Sequence, residues 1–500
     1  MKQSQKKVLG FITAISFLLF SVGCGETSQI GKQDSFTVLK NKIDNLVNDS
    51  SFAEANWGIQ IQSLKTGKIW YSKNQNKMFM PASNEKIPTA AAALTLLGPD
   101  FKFETDLCMS GEFSDSTLRG NLIIFGDGDP TLYTKFFKDP RDLFFNWAKL
   151  LKEKGIKNID GNIIADDKTF SYDSLGFGWS FDGLDSWSYA QISPLQLNEN
   201  YIDINIIPPD SITKPILIKL NIPSNYYKII NNITTSDSGR TEIIFSRQVG
   251  TNEIVLSGNV VIGSREFQIS PTITNPPLFY VTVLKEVLEE SGIEVNGNPI
   301  TTTELGDWNY KPGDFEIIDN HKSAPLKDII KVMMKRSQNL YAETLPRIIG
   351  LEKKNKGTFN SGKIYIREVL ENFGIKPNTY RYMDGSGLSR YDYISPEEIV
   401  KILTAMWQSP NKTYWYDSLP IAGVDGTLQN RMKGTKAQGN VRAKTGTISN
   451  VRALSGYVTT ENGEELVFSF LVNNFLGSSK STENISDSIL ELLASFNSSY

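Results

Sequence analysis

"PASNEKIPTAAAALTLL", residues 81–97, reads as the opening of a buried helix. Its alanine-rich half has high helix propensity, and an apolar run without a polar face predicts a helix packed all round. Ser83 stands where an N-cap is expected, and the usual partner three residues on is Glu or Gln. That position holds Lys86 instead. A cation there meets the positive end of the helix dipole, which disfavours its proton. The same helix end presents backbone N–H groups able to stabilise an oxyanion. Ser83 and Lys86 lie one helical turn apart and share a face. The stretch therefore predicts a serine nucleophile beside a lysine base whose pKa burial brings down.

Five hundred residues give room for two or three domains. The net charge of −3, with no basic block, excludes nucleic acid as a main partner. Two cysteines and one histidine exclude a zinc site of the usual kind, and no cofactor or metal is expected. Cys108 reads as a small core residue. A Ser-His-Asp triad needs a histidine base, and no G-x-S-x-G elbow occurs. His321, just before "SAPLKDII", reads as a surface residue near a helix start.

Residues 1–24 stand apart. Lys2, Lys6 and Lys7 precede "VLGFITAISFLLFSV", which ends at Gly23-Cys24 and reads as a signal peptide. The run is shorter than the roughly 20 residues of a membrane span; an uncleaved N-terminal anchor is the competing reading. Small residues before Cys24 resemble a bacterial lipoprotein cleavage site, with Ser21 where leucine is usual and Cys24 as the lipidated residue. Residues 25–35 suit a tether.

The two ends of the remaining chain share one style. "FTVLKNKIDNLV" puts Phe36, Leu39, Ile43 and Leu46 on one helical face, and "WGIQIQSL" and "KIWYS" flank a hairpin turn at Lys65-Thr66-Gly67. "ALSGYVTT" and "ELVFSFLV" flank Asn462-Gly463, and "ISDSILELLASF" closes the chain as an amphipathic helix. These patterns predict helices against an antiparallel sheet. From about 110 to 305 short strands dominate, and long helical patterns are scarce until 278–292. That stretch predicts a β-rich insertion in an α+β host, with "FQISPTITNPP" as its seam.

Two further motifs bear on chemistry. In "SAPLKDIIKVMMKRSQNLYAETL", Leu326, Ile329, Ile330 and Met333 form a helical face that Ser337-Gln338-Asn339 interrupts between two helices. In "VRAKTGTISN", a strand offers Lys444 and Thr445 on alternating faces, and Gly446 permits close approach, an arrangement suited to a substrate carboxylate. Each motif alone is weak. Ser-x-x-Lys recurs at Ser4-Lys7 and, as strand-like surface, at Ser211-Lys214; Lys-Thr-Gly recurs in the turn at 65–67. "GDGDPTL", 126–132, follows a strand and reads as a turn rather than a metal loop.

Ser-x-x-Lys, Ser-x-Asn and Lys-Thr-Gly in this order are the signature of penicillin-binding proteins and serine β-lactamases. About 250 residues separate Ser83 from Ser337, and about 107 separate Ser337 from Lys444. With "GDGDPTL", "MDGSGLSR" and "AGVDGTLQNRM", the chain resembles the class C low-molecular-mass penicillin-binding proteins, the D-alanyl-D-alanine carboxypeptidase/endopeptidase family (peptidase family S13), over roughly residues 36–495.

The resemblance implies an α+β fold: a DD-peptidase/serine β-lactamase-like domain, an antiparallel sheet flanked by helices, with a large β-rich insertion forming one or two extra domains. It divides the chain into a peptidase domain (36–108 and 306–500), an inserted domain II (109–207 and 259–305) and a nested domain III (208–258). It implies cleavage of peptidoglycan stem peptides through an acyl-enzyme on Ser83, with Lys86 as base. Ser337 and Lys444 would pass a proton to the leaving amine, and Asn339 would bind the substrate backbone. Thr445, Gly446 and Thr447 would hold the terminal carboxylate beside Lys444. N–H groups of Ser83 and Thr447 would form the oxyanion hole. β-Lactams would be covalent inhibitors. Asp182, with Asp185 as its competitor, and Arg390 would read the end of a diamino-acid side chain. The implied place is the periplasmic side of a bacterial cell envelope, on a lipid anchor; the oligomeric state stays open. Two alternatives stand beside this one. One is a β-lactamase or esterase on the same fold, which needs a deacylating glutamate; Glu343 is among several available, but none sits in a recognisable loop. The other is a non-catalytic wall-binding lipoprotein, which would be expected to have lost a catalytic residue.

Overall fold

The structure, a computed structural model, describes residues 34–170, 173–306 and 314–497. The signal peptide, Cys24 and most of the tether lie outside the described residues.

The chain's two ends build one antiparallel sheet. Its strands run in the order Arg442–Ile448, Val451–Thr459, Glu465–Asn473, Asn56–Ser63 and Ile69–Lys73. Both expected hairpins are present: Ile69–Lys73 folds back on Asn56–Ser63, and Glu465–Asn473 on Val451–Thr459. Gly67 and Gly463 take the left-handed conformation at the two turns. Helices cover both faces, which is why "LVFSFLV" is apolar on both faces, with Ser469 its one polar residue. Side chains alternate along a strand. Leu466, Phe468, Phe470 and Val472 pack towards the terminal helices Ser35–Val47 and Ser479–Ala494. Val467 and Leu471 pack towards the opposite core. That second core holds the helix Lys86–Leu96, buried from Lys86 through Leu94, with Leu326–Arg336, Asn339–Lys354 and Pro396–Gln408 around it.

The intervening region has its own core. A five-stranded mixed sheet runs Pro299–Thr301, Ile163–Ala165, Leu122–Gly126, Glu104–Met109 and Glu316–Lys322. Its last two strands come from either side of the expected insertion and tie it to the host. Two three-stranded sheets carry residues 204–269, one ordered Leu217–Leu220, Ile204–Ile207, Phe267–Ile269 and the other Lys228–Ser236, Glu253–Val261, Glu242–Arg247. Cys108 is buried, as expected, and burial pushes its thiol up to about 11.

Four sequence expectations need correction. A helix, Asp142–Glu153, lies in the stretch read as short strands. Leu143, Phe144, Trp147, Ala148 and Leu151 fall on one helical stripe and are buried, a 3.6-residue period within a strand-rich stretch. "FQISPTITNPP" is not a seam with the host. The helix that follows it, Pro276–Glu290, packs through Phe279, Tyr280 and Leu284 into the core that holds Phe144 and Trp147. Ser211–Lys214 is an exposed turn, where Lys214 pairs with Asp210 at 2.8 Å, and the strand starts only at Leu217. His321 is not at a helix start: it lies in strand Glu316–Lys322, and its Nε2 is 3.4 Å from buried Asp129 Oδ2 in the "GDGDPTL" turn.

Candidate active site

Ser83 sits in a 3₁₀ turn, Ala82–Glu85, and the α-helix begins only at Lys86. The N-cap of that helix is Glu85 and not Ser83, so the N-cap expectation fails. A 3₁₀ turn closes after three residues and eclipses positions i and i+3. It therefore brings Lys86 onto Ser83 more directly than an α-helical turn. The entry is strained: Ala82 takes φ 46°, a left-handed conformation costly for alanine. Gly387 presses on this residue, and a Cβ there would lie 1.8 Å from Ala82 O.

Lys86 is fully buried, and its Nζ has three partners. They are Ser83 Oγ at 3.0 Å, Asn339 Oδ1 at 2.6 Å and Ser386 O at 2.9 Å. Asn339 Oδ1 and Ser386 O accept two N–H bonds and can do nothing else. A neutral amine held this way turns its lone pair to Ser83 Oγ. Burial is the main cause that brings the Lys86 pKa down to about 7, against the opposing charges of Asp384 and Glu343.

Lys444 is also fully buried, with Nζ 2.7 Å from Ser337 Oγ and 2.7 Å from Thr445 O. Burial first, then the nearby Lys86 charge, hold its pKa well below the usual lysine range. Ser337 is the left-handed joint between helices Leu326–Arg336 and Asn339–Lys354, with φ 61°. Gly446 has no room for a side chain: a Cβ would stand 2.7 Å from Pro81 O and 2.9 Å from Ala453 Cβ. The strand Arg442–Ile448 therefore lies against the Ser83 turn, and Asn84 Nδ2 donates to Lys444 O at 3.3 Å. That strand is the sheet's edge. An edge carries backbone groups that an extended peptide can pair with.

Ser83, Ser337, Asn339, Thr445, Gly446 and Thr447 line one cleft of about 520 Å³. Lys86 and Lys444 lie beneath it. The three motifs thus converge. Arg390 and Asp182 stand outside this lining. Arg390 donates to Ser449 O at 3.2 Å, and Asp182 lies on the exposed turn Phe181–Gly183. They share a neighbourhood at Tyr189, whose phenol is raised by burial, with Arg390 opposing and Asp182 adding. Asp185 acts instead on Arg247.

Sequence reasoning misses the structural role of the groups that hold this site: Glu343 stands there only as a possible deacylating glutamate, and Asp384 only as part of "MDGSGLSR". Glu343 Oε1 accepts from Gly385 N and Ser386 N, both at 2.9 Å. Asp384 accepts from Ser386 N, Gly387 N and Ser389 N, and from Trp179 Nε1. The loop "DGSGLS" is wound on these two buried carboxylates, which aims the Ser386 carbonyl at Lys86 and Gly387 at Ala82. Glu343 therefore serves the site from below and does not face the cleft lining.

Glu199, from the inserted region, grips the Ser337 joint from both sides. Its Oε1 is 2.5 Å from Arg336 Nη1, and its Oε2 accepts from Gln338 Nε2. Three consecutive left-handed residues, Asn198, Glu199 and Asn200 at φ 49°, 56° and 58°, present it. The flanking asparagines, which tolerate this conformation, are the one signal in the sequence. Glu199→Ala leaves the half-buried Arg336 without its counter-charge. Urea unfolding should show a loss of about 2–3 kcal/mol, with slower acylation; a loss below about 0.5 kcal/mol would mean the grip is not structural.

Residues 39–496 match the D-Ala-D-Ala carboxypeptidase 3 (S13) family. The chain is 32% identical to the D-alanyl-D-alanine carboxypeptidase of an Actinomadura species over 454 residues, 88% of this chain and 82% of that one. It is 27% identical to D-alanyl-D-alanine carboxypeptidase DacB of Haemophilus influenzae over 431 residues, 84% and 86% of the two chains. The crystal structure of penicillin-binding protein 4 from Haemophilus influenzae superposes with a TM-score of 0.76 at 25% identity, covering 91% of this chain and 99% of that one.

Proposed function

On the premise that the chain belongs to the D-Ala-D-Ala carboxypeptidase 3 (S13) family, we propose that Ser83, Lys86, Ser337, Asn339 and Lys444 carry out its reaction. The activity is that of a serine-type D-Ala-D-Ala carboxypeptidase, a hydrolase. The substrate is a peptidoglycan stem peptide ending in D-Ala-D-Ala, laid along the edge strand Arg442–Ile448. Thr445, Thr447 and Lys444 hold its terminal carboxylate, and Asn339 binds its backbone. Ser83 Oγ attacks the carbonyl of the penultimate residue as its proton passes to Lys86. N–H groups of Ser83 and Thr447 stabilise the oxyanion. The C–N bond breaks as Ser337, backed by Lys444, delivers a proton to the leaving amine. Water then hydrolyses the ester and frees Ser83. A β-lactam enters by the same attack, and its acyl group stays on Ser83.

The observation that carries this assignment is the three-way hold on the Lys86 amine, with Ser83 as one of the three partners. The finer parts of the same reading are a diamino-acid contact by Arg390 and Asp182, a lipid anchor at Cys24 and a periplasmic place in the bacterial cell envelope. The division into 36–108 with 306–500, 109–207 with 259–305, and 208–258 also belongs to it. A core distinct from those of the host supports setting the insertion apart, while Ile222, Tyr227, Ile254 and Leu256 of 208–258 pack into that same core. Incubated with a purified pentapeptide muropeptide, the enzyme should release free D-alanine, read by mass spectrometry as loss of one terminal residue. A folded, penicillin-reactive enzyme that leaves both pentapeptide and cross-linked dimer intact would refute the substrate.

A further inference from the structure

A second groove, of about 790 Å³, opens from one end of the catalytic cleft. The two share Trp187, Arg336 and Thr427. The end is identifiable. Thr427 Oγ1 accepts from Thr445 Oγ1 at 2.7 Å, and Arg336 precedes Ser337. These neighbours belong to the leaving-group side of the proposed reaction.

The groove is cationic. Lys135, Lys331, Lys335 and Arg336 line it, and no carboxylate does among the described residues. Two of the four have counter-ions: Lys335 pairs with Asp425 at 2.7 Å and Arg336 with Glu199. Lys135 and Lys331 are exposed and make no ion pair among the described residues. Lys331 also lowers the pKa of Lys335, after burial and against Asp425. Such a field favours an anionic ligand. Gln268, Ser270 and Gln429 add neutral hydrogen-bonding groups.

Release of a single D-alanine gives no use for such a groove, because the leaving residue ends over Ser337 and Thr445. We propose that it is the subsite for the leaving strand of a cross-linked substrate: a second stem peptide, whose free carboxylates meet Lys135, Lys331, Lys335 and Arg336 while its side-chain amine is the leaving group at Ser337. This rests on the Ser83 reading above. The step balances as before: the cross-link's C–N bond breaks, the acyl half stays on Ser83, and the amine half leaves through the groove with the proton from Ser337.

The test is a Lys135→Glu, Lys331→Glu double variant. Three substrates are compared: a cross-linked muropeptide dimer, an uncross-linked pentapeptide and a fluorescent penicillin. Dimer cleavage should fall about tenfold or more in kcat/KM, while D-alanine release and penicillin acylation stay within about twofold. Higher ionic strength should raise KM for the dimer alone in the unmodified enzyme. Dimer cleavage that is unchanged, that falls in step with the pentapeptide, or that is absent from the unmodified enzyme would overturn the subsite while acylation still upheld Ser83. Loss of penicillin acylation in the unmodified enzyme would overturn the Ser83 reading instead.

Discussion

Ser83→Ala should abolish covalent labelling by a fluorescent penicillin and lower D-alanine release by a factor on the order of 10⁵ or more. The nucleophile of an acyl-enzyme has no substitute nearby: Ser337, the other cleft serine next to a lysine, meets Lys444 and is built to hand over a proton. The variant should fold normally. Its stability should change by less than about 1 kcal/mol, because Lys86 keeps Asn339 and Ser386 as partners. Thermal unfolding and labelling on the same preparation check both halves. Residual labelling would remove Ser83 as the nucleophile.

Lys86→Met separates the base from the packing. Methionine fills a similar volume and removes a buried amine. Acylation should slow by about 10²–10⁴-fold, with a folded protein and a normal unfolding transition. The unmodified enzyme supplies the pH half. Only the neutral amine can take the Ser83 proton, and the Lys86 pKa lies at about 7. The acylation rate should therefore rise through about pH 7 and level off above it, falling about tenfold per unit below. A rate independent of pH between about 5 and 9 would exclude Lys86 as the base.

The motifs and the sheet were legible because each is local. Period-two and helical patterns placed the hairpins and the terminal helices. The misplaced charge at Lys86 pointed to a base before any partner was known. Three details needed coordinates. The turn at Ser83 is 3₁₀ because Gly387 and Gly446 press the backbone from two sides, a tertiary cause that outweighs the cap preference of serine. Glu343 and Asp384 bind backbone N–H groups of the "DGSGLS" loop; the sequence shows where they stand, one turn past Asn339 and inside "MDGSGLSR", but not that the loop is wound on them. Glu199 acts across 137 positions on Arg336. A charge pair of that reach leaves no spacing to read.

The most direct measurement is the location of the adduct. After brief reaction with a penicillin, the protein is digested and the modified peptide sequenced by mass spectrometry. The adduct should sit on Ser83, in the peptide that carries "PASNEKIP". An adduct on Ser337, or on any other side chain, would contradict the assignment on which the mechanism is built.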